Sequence, residues 1–436
     1  MQEDDSRLAA IAAPFDPVTG EGSIGERVRV VVKDMPGTPV MWLPVEMMDN
    51  ELVKQLLAAK TVKNYIRLNR WEYTDENIDL VVEAFIRVRI TFDFPFWAAL
   101  YAVIQDKVSG RLVKFILNRP QRLLISMFED MRKAGMPIRL VLLKARQWGG
   151  STATQIYMAW LQLVLTYGHN SAIVAHQKKA SYGVRNMLKR LIEHYPVRLV
   201  HEMGDEYKPG EPIITGTPSP NVISIKAREC EVEVGSAENP DSERSANTYL
   251  VHLTEVAFWK STENKEPGDI VRSVCSGVLL QPLTLIVYES TANGTGNFFQ
   301  EEYDAAKNGE SNFRALFIAW WQIEMYSLPF KDEDEPISPF GFTRTATTPT
   351  FPTTAMNRAS TFGGCSPSAQ RLRLSTGTSS SAASTTLTRA WPPSSPLTTS
   401  RHSSTPASAS STFTLSISSR KLAVHPLPWA TLQDAA

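Results

Sequence analysis

Five apolar runs of strand length punctuate the middle of the chain, at residues 138–143, 171–175, 249–253, 283–288 and 314–319. None alternates as a half-exposed strand does, and continuous apolar text of this length marks strands buried on both faces. Helix-length segments with helical spacing follow the first two runs, at 152–166 and 178–194. Strands alternating with helices predict an α/β fold built on a mostly parallel sheet flanked by helices, in which ligands bind beyond the carboxyl ends of the strands. Residues 222–226 and 231–234 predict a further strand pair. Upstream the pattern is mixed, with helical runs near 51–60 and 75–88. The aromatic string Phe92-Asp-Phe-Pro-Phe-Trp97 comes next and is expected to pack beneath the domain that follows. The expected organisation is a flexible N-terminus (1–27), a small mixed segment (28–110), an α/β domain (111–330) and a tail (341–436).

Charge sets that tail apart. The whole chain balances 45 basic against 45 acidic residues, but after Gly341 there is one acidic residue, Asp434, and eight basic ones. The part before the tail is therefore near −7 and the tail near +7. Ser and Thr dominate the tail, and runs such as Ser379-Ser-Ser-Ala-Ala-Ser-Thr-Thr386 have neither helix nor strand period, so disorder is expected there. No run approaches the roughly 20 apolar residues of a membrane span. The acidic start, Met-Gln-Glu-Asp-Asp, is unlike a secretory signal. Cys230, Cys275 and Cys365 are scattered without metal-type spacing and fit a reducing cytoplasm.

Chemistry concentrates at the ends of the apolar runs. The first run leads into Lys144-Ala-Arg-Gln-Trp-Gly-Gly-Ser-Thr152 and then a helix. A loop between a buried strand and a helix N-terminus presents backbone N–H groups to phosphates. Against the pattern G-x-x-x-x-G-K-[ST], Gly149 and Ser151 match, Lys144 stands at the usual first Gly, and Gly150 at the usual Lys. A lysine at the start of the loop can still reach phosphates, and Ser151, or failing that Thr152, is the candidate Mg²⁺ hydroxyl. The plainer alternative is a lysine ending a strand before an ordinary glycine turn. A second string, Tyr249-Leu-Val-His-Leu-Thr-Glu-Val-Ala-Phe-Trp259, places Glu255 at the end of a buried strand, where an acid is costly without a partner or a task. Glu255 is the candidate to polarise the water attacking a γ-phosphate; a structurally paired carboxylate is the alternative. Thr254 stands where a metal-shell Asp is usual, and its hydroxyl serves Mg²⁺ more weakly. The third string, Tyr288-Glu-Ser-Thr-Ala-Asn-Gly-Thr-Gly-Asn297, offers Thr291 and Asn293 as a sensor of the γ-phosphate, or else a plain turn. In Leu117-Asn-Arg-Pro-Gln121, Gln121 is a weaker candidate for the adenine edge.

Taken in this order, the four strings resemble the large terminase subunit of tailed bacteriophages and prophages, over residues 111–325. The resemblance implies a RecA-like P-loop ATPase that drives DNA into a procapsid, joined in that family to an RNase-H-like nuclease. It implies ATP and Mg²⁺ as cofactors. Double-stranded DNA, a portal protein and a small terminase subunit are the implied partners, with several copies acting as a ring in the host cytoplasm. Carried over by position, Lys144 is the displaced phosphate lysine and Arg146 the cis-acting arginine. Gly149, Gly150, Ser151 and Thr152 hold the nucleotide, with Ser151 and Thr254 toward the metal. Glu255 is the catalytic carboxylate, Thr291 and Asn293 the coupling motif, and Gln121 the adenine contact. Gly150 and Thr254 are departures that put turnover in question more than binding.

The tail supplies only Asp434, whereas two-metal nucleases need clustered carboxylates, so DNA cleavage by this chain is not expected. Two other readings stay open: a prophage remnant that binds nucleotide or partners without turnover, and another P-loop translocase or helicase, which would need a second RecA-like domain. Lys178, Lys179 and the basic residues within 185–190 offer short patches for DNA phosphates, or a solvated helix face. A reading frame that shifts between 331 and 345 would produce such an acid-poor tail; a genuine low-complexity extension is the alternative. Sequencing the gene beyond codon 340 should reveal acidic, strand-forming text in another frame, and its absence overturns the frameshift.

Overall fold

The computed structural model describes Asp16 and residues 22–326, apart from 38, 107–108, 216–218, 220, 239–246, 262–265 and 324–325. The tail expected at 341–436 and most of the expected flexible N-terminus lie outside these residues.

The chain first forms an antiparallel hairpin of β1 (Arg27–Val31) and β2 (Val40–Pro44). Helices α1 (Glu51–Ala59), α2 (Val62–Leu68) and α3 (Asp75–Phe92) follow. Each begins where a side chain can take up an orphan backbone donor: Asn50, Thr61 and Thr74 accept from the N–H groups of Val53, Asn64 and Asn77. Leu43, Met47, Val53, Leu56, Ile66 and Phe85 make a core of their own. α3 is shared between two cores: Val88 and Phe92 pack against this one, while Ile86 and Ile90 turn to the main core, as do Phe94 and Trp97 of α4 (Phe94–Tyr101). A short ribbon of β3 (Val103–Gln105) and β4 (Leu112–Lys114) leads to α5 (Arg119–Lys133). Helix α5 was not among the elements expected; Leu123, Leu124, Phe128 and Met131 share its buried face, and its start is written in capping chemistry. Asn118 and Gln121 form a reciprocal capping box, with Pro120 in the first turn.

The main sheet then assembles. In chain order come β5 (Ile138–Lys144), α6 (Gly150–Trp160), β6 (Asn170–Ala175), α7 (Lys178–Glu193), β7 (Val222–Ile225), β8 (Cys230–Ser236) and β9 (Thr248–Thr254). They are followed by α8 (Pro267–Cys275), β10 (Leu285–Ser290), α9 (Phe298–Asn308) and β11 (Arg314–Ile318). In space the seven strands run β11-β5-β10-β9-β6-β8-β7, parallel throughout except for the antiparallel pair β7–β8. All five apolar runs are strands, but β11 at the sheet's edge is not buried on both faces, with Arg314 and Phe317 exposed; the pair at 222–226 and 231–234 is present. The run expected at 283–288 begins two residues later, after Leu283 in the left-handed region (φ 63°). No helix among the described residues is long and apolar enough to cross a membrane.

The order of strands decides what meets at the sheet's edge. β10 lies between β5 and β9, with Glu289 in register with Leu142 on one side and Thr254 on the other. One face of the sheet carries Ile138, Leu140, Leu142, Leu250, Leu285 and Val287 against α5, α6 and α7. The other carries Val141, Val251, Leu253, Ile286 and Tyr288 against α8 and α9. By the two-residue period of a strand, Lys144, His252, Thr254 and Glu289 all project to the first face, toward α6.

Helix α6 is held from behind. The Tyr157 hydroxyl donates to Glu129 of α5 at 2.7 Å, and the Trp160 indole donates to the Ile90 carbonyl at 2.8 Å. The Phe94 ring sits 5.0 Å from Tyr157 and 5.4 Å from Trp160, so the aromatic string does pack beneath the α/β domain. Asp93, 1% exposed, fixes that string by pairing with Arg27 at 2.7 Å and Arg89 at 3.3 Å while capping α4. Asp93→Ala would leave two largely buried guanidinium groups without their carboxylate. It is expected to cost about 3–5 kcal/mol, measurable by chemical denaturation, and a loss under about 1 kcal/mol would show that Asp93 does not anchor this layer.

Candidate functional site

The loop after β5 has to turn sharply, and two residues take left-handed backbone to do it: Gln147 (φ 68°) and Gly149 (φ 80°). Such a conformation is routine for glycine and costs a non-glycine residue, a pattern common at ligand sites. Gly149 is the N-cap of α6 and has no side chain to cap it, leaving first-turn N–H groups without a side-chain acceptor. The loop borders a cleft of about 480 Å³ lined by residues 144–152 with His176, Glu255 and Phe258. That volume suits a nucleotide-sized ligand. Ser151 and Thr152 line it at the helix start, and Arg146 is exposed on its rim, its carbonyl accepting from the Tyr326 hydroxyl at 2.8 Å.

Lys144, the last residue of β5, is buried, and its Nζ lies 3.0 Å from Glu255 Oε1. Burial works against the ammonium, but the charges of Glu289 and Glu255 outweigh it and raise the Lys144 pKa. Glu255 follows β9 in a left-handed conformation (φ 53°) that turns its side chain back over the sheet edge. Its second oxygen accepts from the backbone N–H of Thr291 at 3.4 Å and from the Thr291 hydroxyl at 3.3 Å. The Asn293 amide donates to the Ala257 carbonyl at 2.8 Å, and the Ala257 N–H donates to Ser290 Oγ at 3.2 Å. The loops after β9 and β10 are therefore stitched together, with Lys144 and Thr291 holding opposite oxygens of one carboxylate.

One departure from the usual phosphate-loop pattern gains a physical reason. A Cβ on Gly150 would lie 2.6 Å from the Trp148 ring, so in this loop the indole occupies the space that a side chain at 150 needs. Lys144 is the buried ammonium beside the cleft instead. Gln121 does not line the cleft. Its Nε2 donates to the carbonyls of Trp148 at 3.1 Å and Gly149 at 3.3 Å, and its Oε1 accepts from the Asn118 N–H at 3.0 Å. Its amide is spent on holding the loop rather than being presented to a base. Thr254 is buried outside the cleft lining, and its carbonyl accepts from the Trp259 indole at 3.1 Å.

Behind the loop is a group that the sequence reading passed over. Glu289 is fully buried on β10, accepts a hydrogen bond from the Ser151 hydroxyl, and has Oε1 3.4 Å from His252 Nε2. The histidine is within ion-pair reach but not aligned for a hydrogen bond. Burial alone would raise the Glu289 pKa; Lys144, His252 and the Ser151 hydroxyl more than offset it and bring it down to about 2. The available signal was an acid ending an apolar run, the same signal that singled out Glu255. Among the described residues no group of three or more His, Cys, Asp or Glu side chains is arranged to hold a metal ion by itself. A cation here would need the nucleotide's own oxygens beside Ser151 and one acid, which is how Mg²⁺ is bound at phosphate loops.

Gly150→Lys, which writes the usual lysine back into the loop, is expected to destabilise the protein by about 1–3 kcal/mol in chemical denaturation, because Trp148 must move. In a Trp148→Leu background the same change should cost measurably less; equal costs would show that the indole is not the obstacle.

No family model matches the chain, and no curated protein matches it in sequence. Among solved structures it is similar to the large terminase of bacteriophage HK97, at 15% identity and a TM-score of 0.41, covering 57% of this chain and 45% of that one. It is also similar to the ATPase domain of the large terminase of Thermus phage P74-26, at 21% identity and a TM-score of 0.28, covering 42% of this chain and 77% of that one. The chain spans less than half the length of the HK97 protein it resembles.

Proposed function

We propose that this chain is a Mg²⁺-dependent ATPase of the phage DNA-packaging kind, the motor part of a large terminase subunit without its nuclease. The observation that carries the reading is the meeting of Lys144, Glu255 and Thr291 from the ends of three adjacent strands at a loop that opens α6. A buried ammonium, a carboxylate at the rim of a nucleotide-sized cleft, and a polar loop reporting on that carboxylate are the parts that phosphoryl transfer to water requires.

Nucleotide phosphates would lie against the N-terminus of α6, with Gly149, Gly150, Ser151 and Thr152 at their oxygens. Lys144 then has two claimants, the phosphates and Glu255. As phosphate draws the ammonium, Glu255 is released from its ion pair and is free to accept a proton from water. Arg146, on the rim, is placed to meet charge building on the transferred group. Bound with the nucleotide, Mg²⁺ supplies charge neutralisation at the phosphates, and Ser151 is the hydroxyl nearest that task. Any shift of Glu255 is felt at once by Thr291, and through the Asn293–Ala257 bond by the loop after β10, which is a physical route from hydrolysis to movement. Double-stranded DNA as the load, a portal and a small subunit as partners, a ring of copies and a setting in the host cytoplasm belong to the same proposal. The acid missing at Thr254 favours a second reading, nucleotide binding without turnover.

An ATPase assay on the full chain separates the two. Lys144→Ala and Glu255→Gln are each expected to lower the Mg²⁺-dependent rate about 100-fold or more. A wild-type rate no higher than that of the variants overturns the enzyme.

A further inference from the structure

We propose that Glu289 supplies the carboxylate of the Mg²⁺ shell, from the strand beside the one on which Thr254 stands in the acid's usual place. The inference rests on the nucleotide-site reading above and adds an identity for the metal-side acid.

Four observations converge. Register comes first: Glu289 on β10 pairs with Thr254 on β9, so the two project to the same face at the same height, and moving the acid from one strand to the next keeps it under the loop. Second is its partner. Ser151 is the hydroxyl that the loop offers to the cation, and it donates its proton to Glu289. A hydroxyl bound to a cation must turn lone pairs to the metal and its hydrogen to an acceptor. Glu289 is that acceptor. Third are its surroundings: wholly buried, the carboxylate has His252 Nε2 3.4 Å from Oε1 and stands on the strand next to that of Lys144.

The fourth observation separates this role from a purely structural brace. Glu289 Oε2 is buried and has no hydrogen-bond partner among the described residues. A buried carboxylate kept only to hold α6 in place would be expected to spend both oxygens, because an unpaired one carries a full desolvation cost. One oxygen on Ser151 and one left over is the pattern of a group waiting for water bound to a cation. His252, buried against the same carboxylate, also has no hydrogen-bond partner and orients nothing else among the described residues. It stands beside Oε1 and leaves the second oxygen unoccupied.

Titrating a fluorescent ATP analogue into the full chain, once with Mg²⁺ and once with EDTA, tests the assignment without reading turnover. Wild type is expected to bind more tightly with Mg²⁺. Glu289→Gln should bind metal-free nucleotide at least as well as wild type and lose about tenfold or more of the gain from Mg²⁺. Adding Thr254→Asp to Glu289→Gln returns an acid to the neighbouring strand at the same height and should restore the gain. Should Glu289→Gln not fold, Glu289→Asp keeps the charge while withdrawing the oxygens by one carbon, and should still lose part of the gain. An undiminished Mg²⁺ gain in these variants overturns the role of Glu289 and leaves the nucleotide site standing. Equal loss of metal-free and Mg²⁺-dependent binding overturns it as well, and makes Glu289 a brace for the loop. A wild type that binds the analogue under neither condition overturns the nucleotide site and this proposal with it.

Discussion

A lysine at the buried end of a strand is tolerable only if opposite charge comes to meet it, and the arrangement of this protein's sheet edge follows from how Lys144 is met. Glu255 reaches it directly at 3.0 Å, and Glu289 adds its charge from β10. Glu289 is there because β10 is threaded between β5 and β9. Had β9 been the neighbour of β5, Glu289 would have been placed beyond reach and Glu255 would have faced the lysine alone. The ion pair also explains why Glu255 can occupy a left-handed conformation that a glutamate does not favour. Lys144 on one oxygen and Thr291 on the other fix it there.

Around that pair the structure divides its labour by layer. The face of the sheet under α6 is apolar toward the amino ends of the strands and turns ionic only at the carboxyl ends, where Lys144, His252 and Glu289 lie. Charges there are sheltered from water, so small displacements change their energies more than they would at the surface. Behind α6, Tyr157, Trp160 and Phe94 give the loop after β5 a packed floor that begins in the N-terminal segment. The segment is thus part of the site's support, and Asp93 ties it down with two arginines. Gln121 works from the other side, its amide holding two carbonyls of the loop.

Much of this was legible in the text of the chain. Continuous apolar runs marked the strands of the sheet's centre, because a strand covered on both faces admits few polar residues. Lys144 and Glu255 could be singled out because charged residues at the ends of such runs are costly without a partner, and Ser151 by its match to the pattern G-x-x-x-x-G-K-[ST]. Helix α5 was not anticipated, although Leu123, Leu124, Phe128 and Met131 recur at helical spacing and the Asn118–Gln121 box marks its start. Gln121, expected at the adenine edge, here caps α5 and donates to two carbonyls of the loop.

By itself, then, the sequence determined the class of fold, the positions of the strands and the residue types available at their ends, since these depend on periodicity and on the cost of burying charge. Only the tertiary structure decided which ends are neighbours. It set Glu289 beside Thr254 and Ser151, put Trp148 where a side chain at 150 would have gone, and turned the loop of Lys144 toward Glu255. Strand order and loop packing join residues more than a hundred positions apart, such as Lys144 and Glu255, and no local pattern encodes a contact of that range.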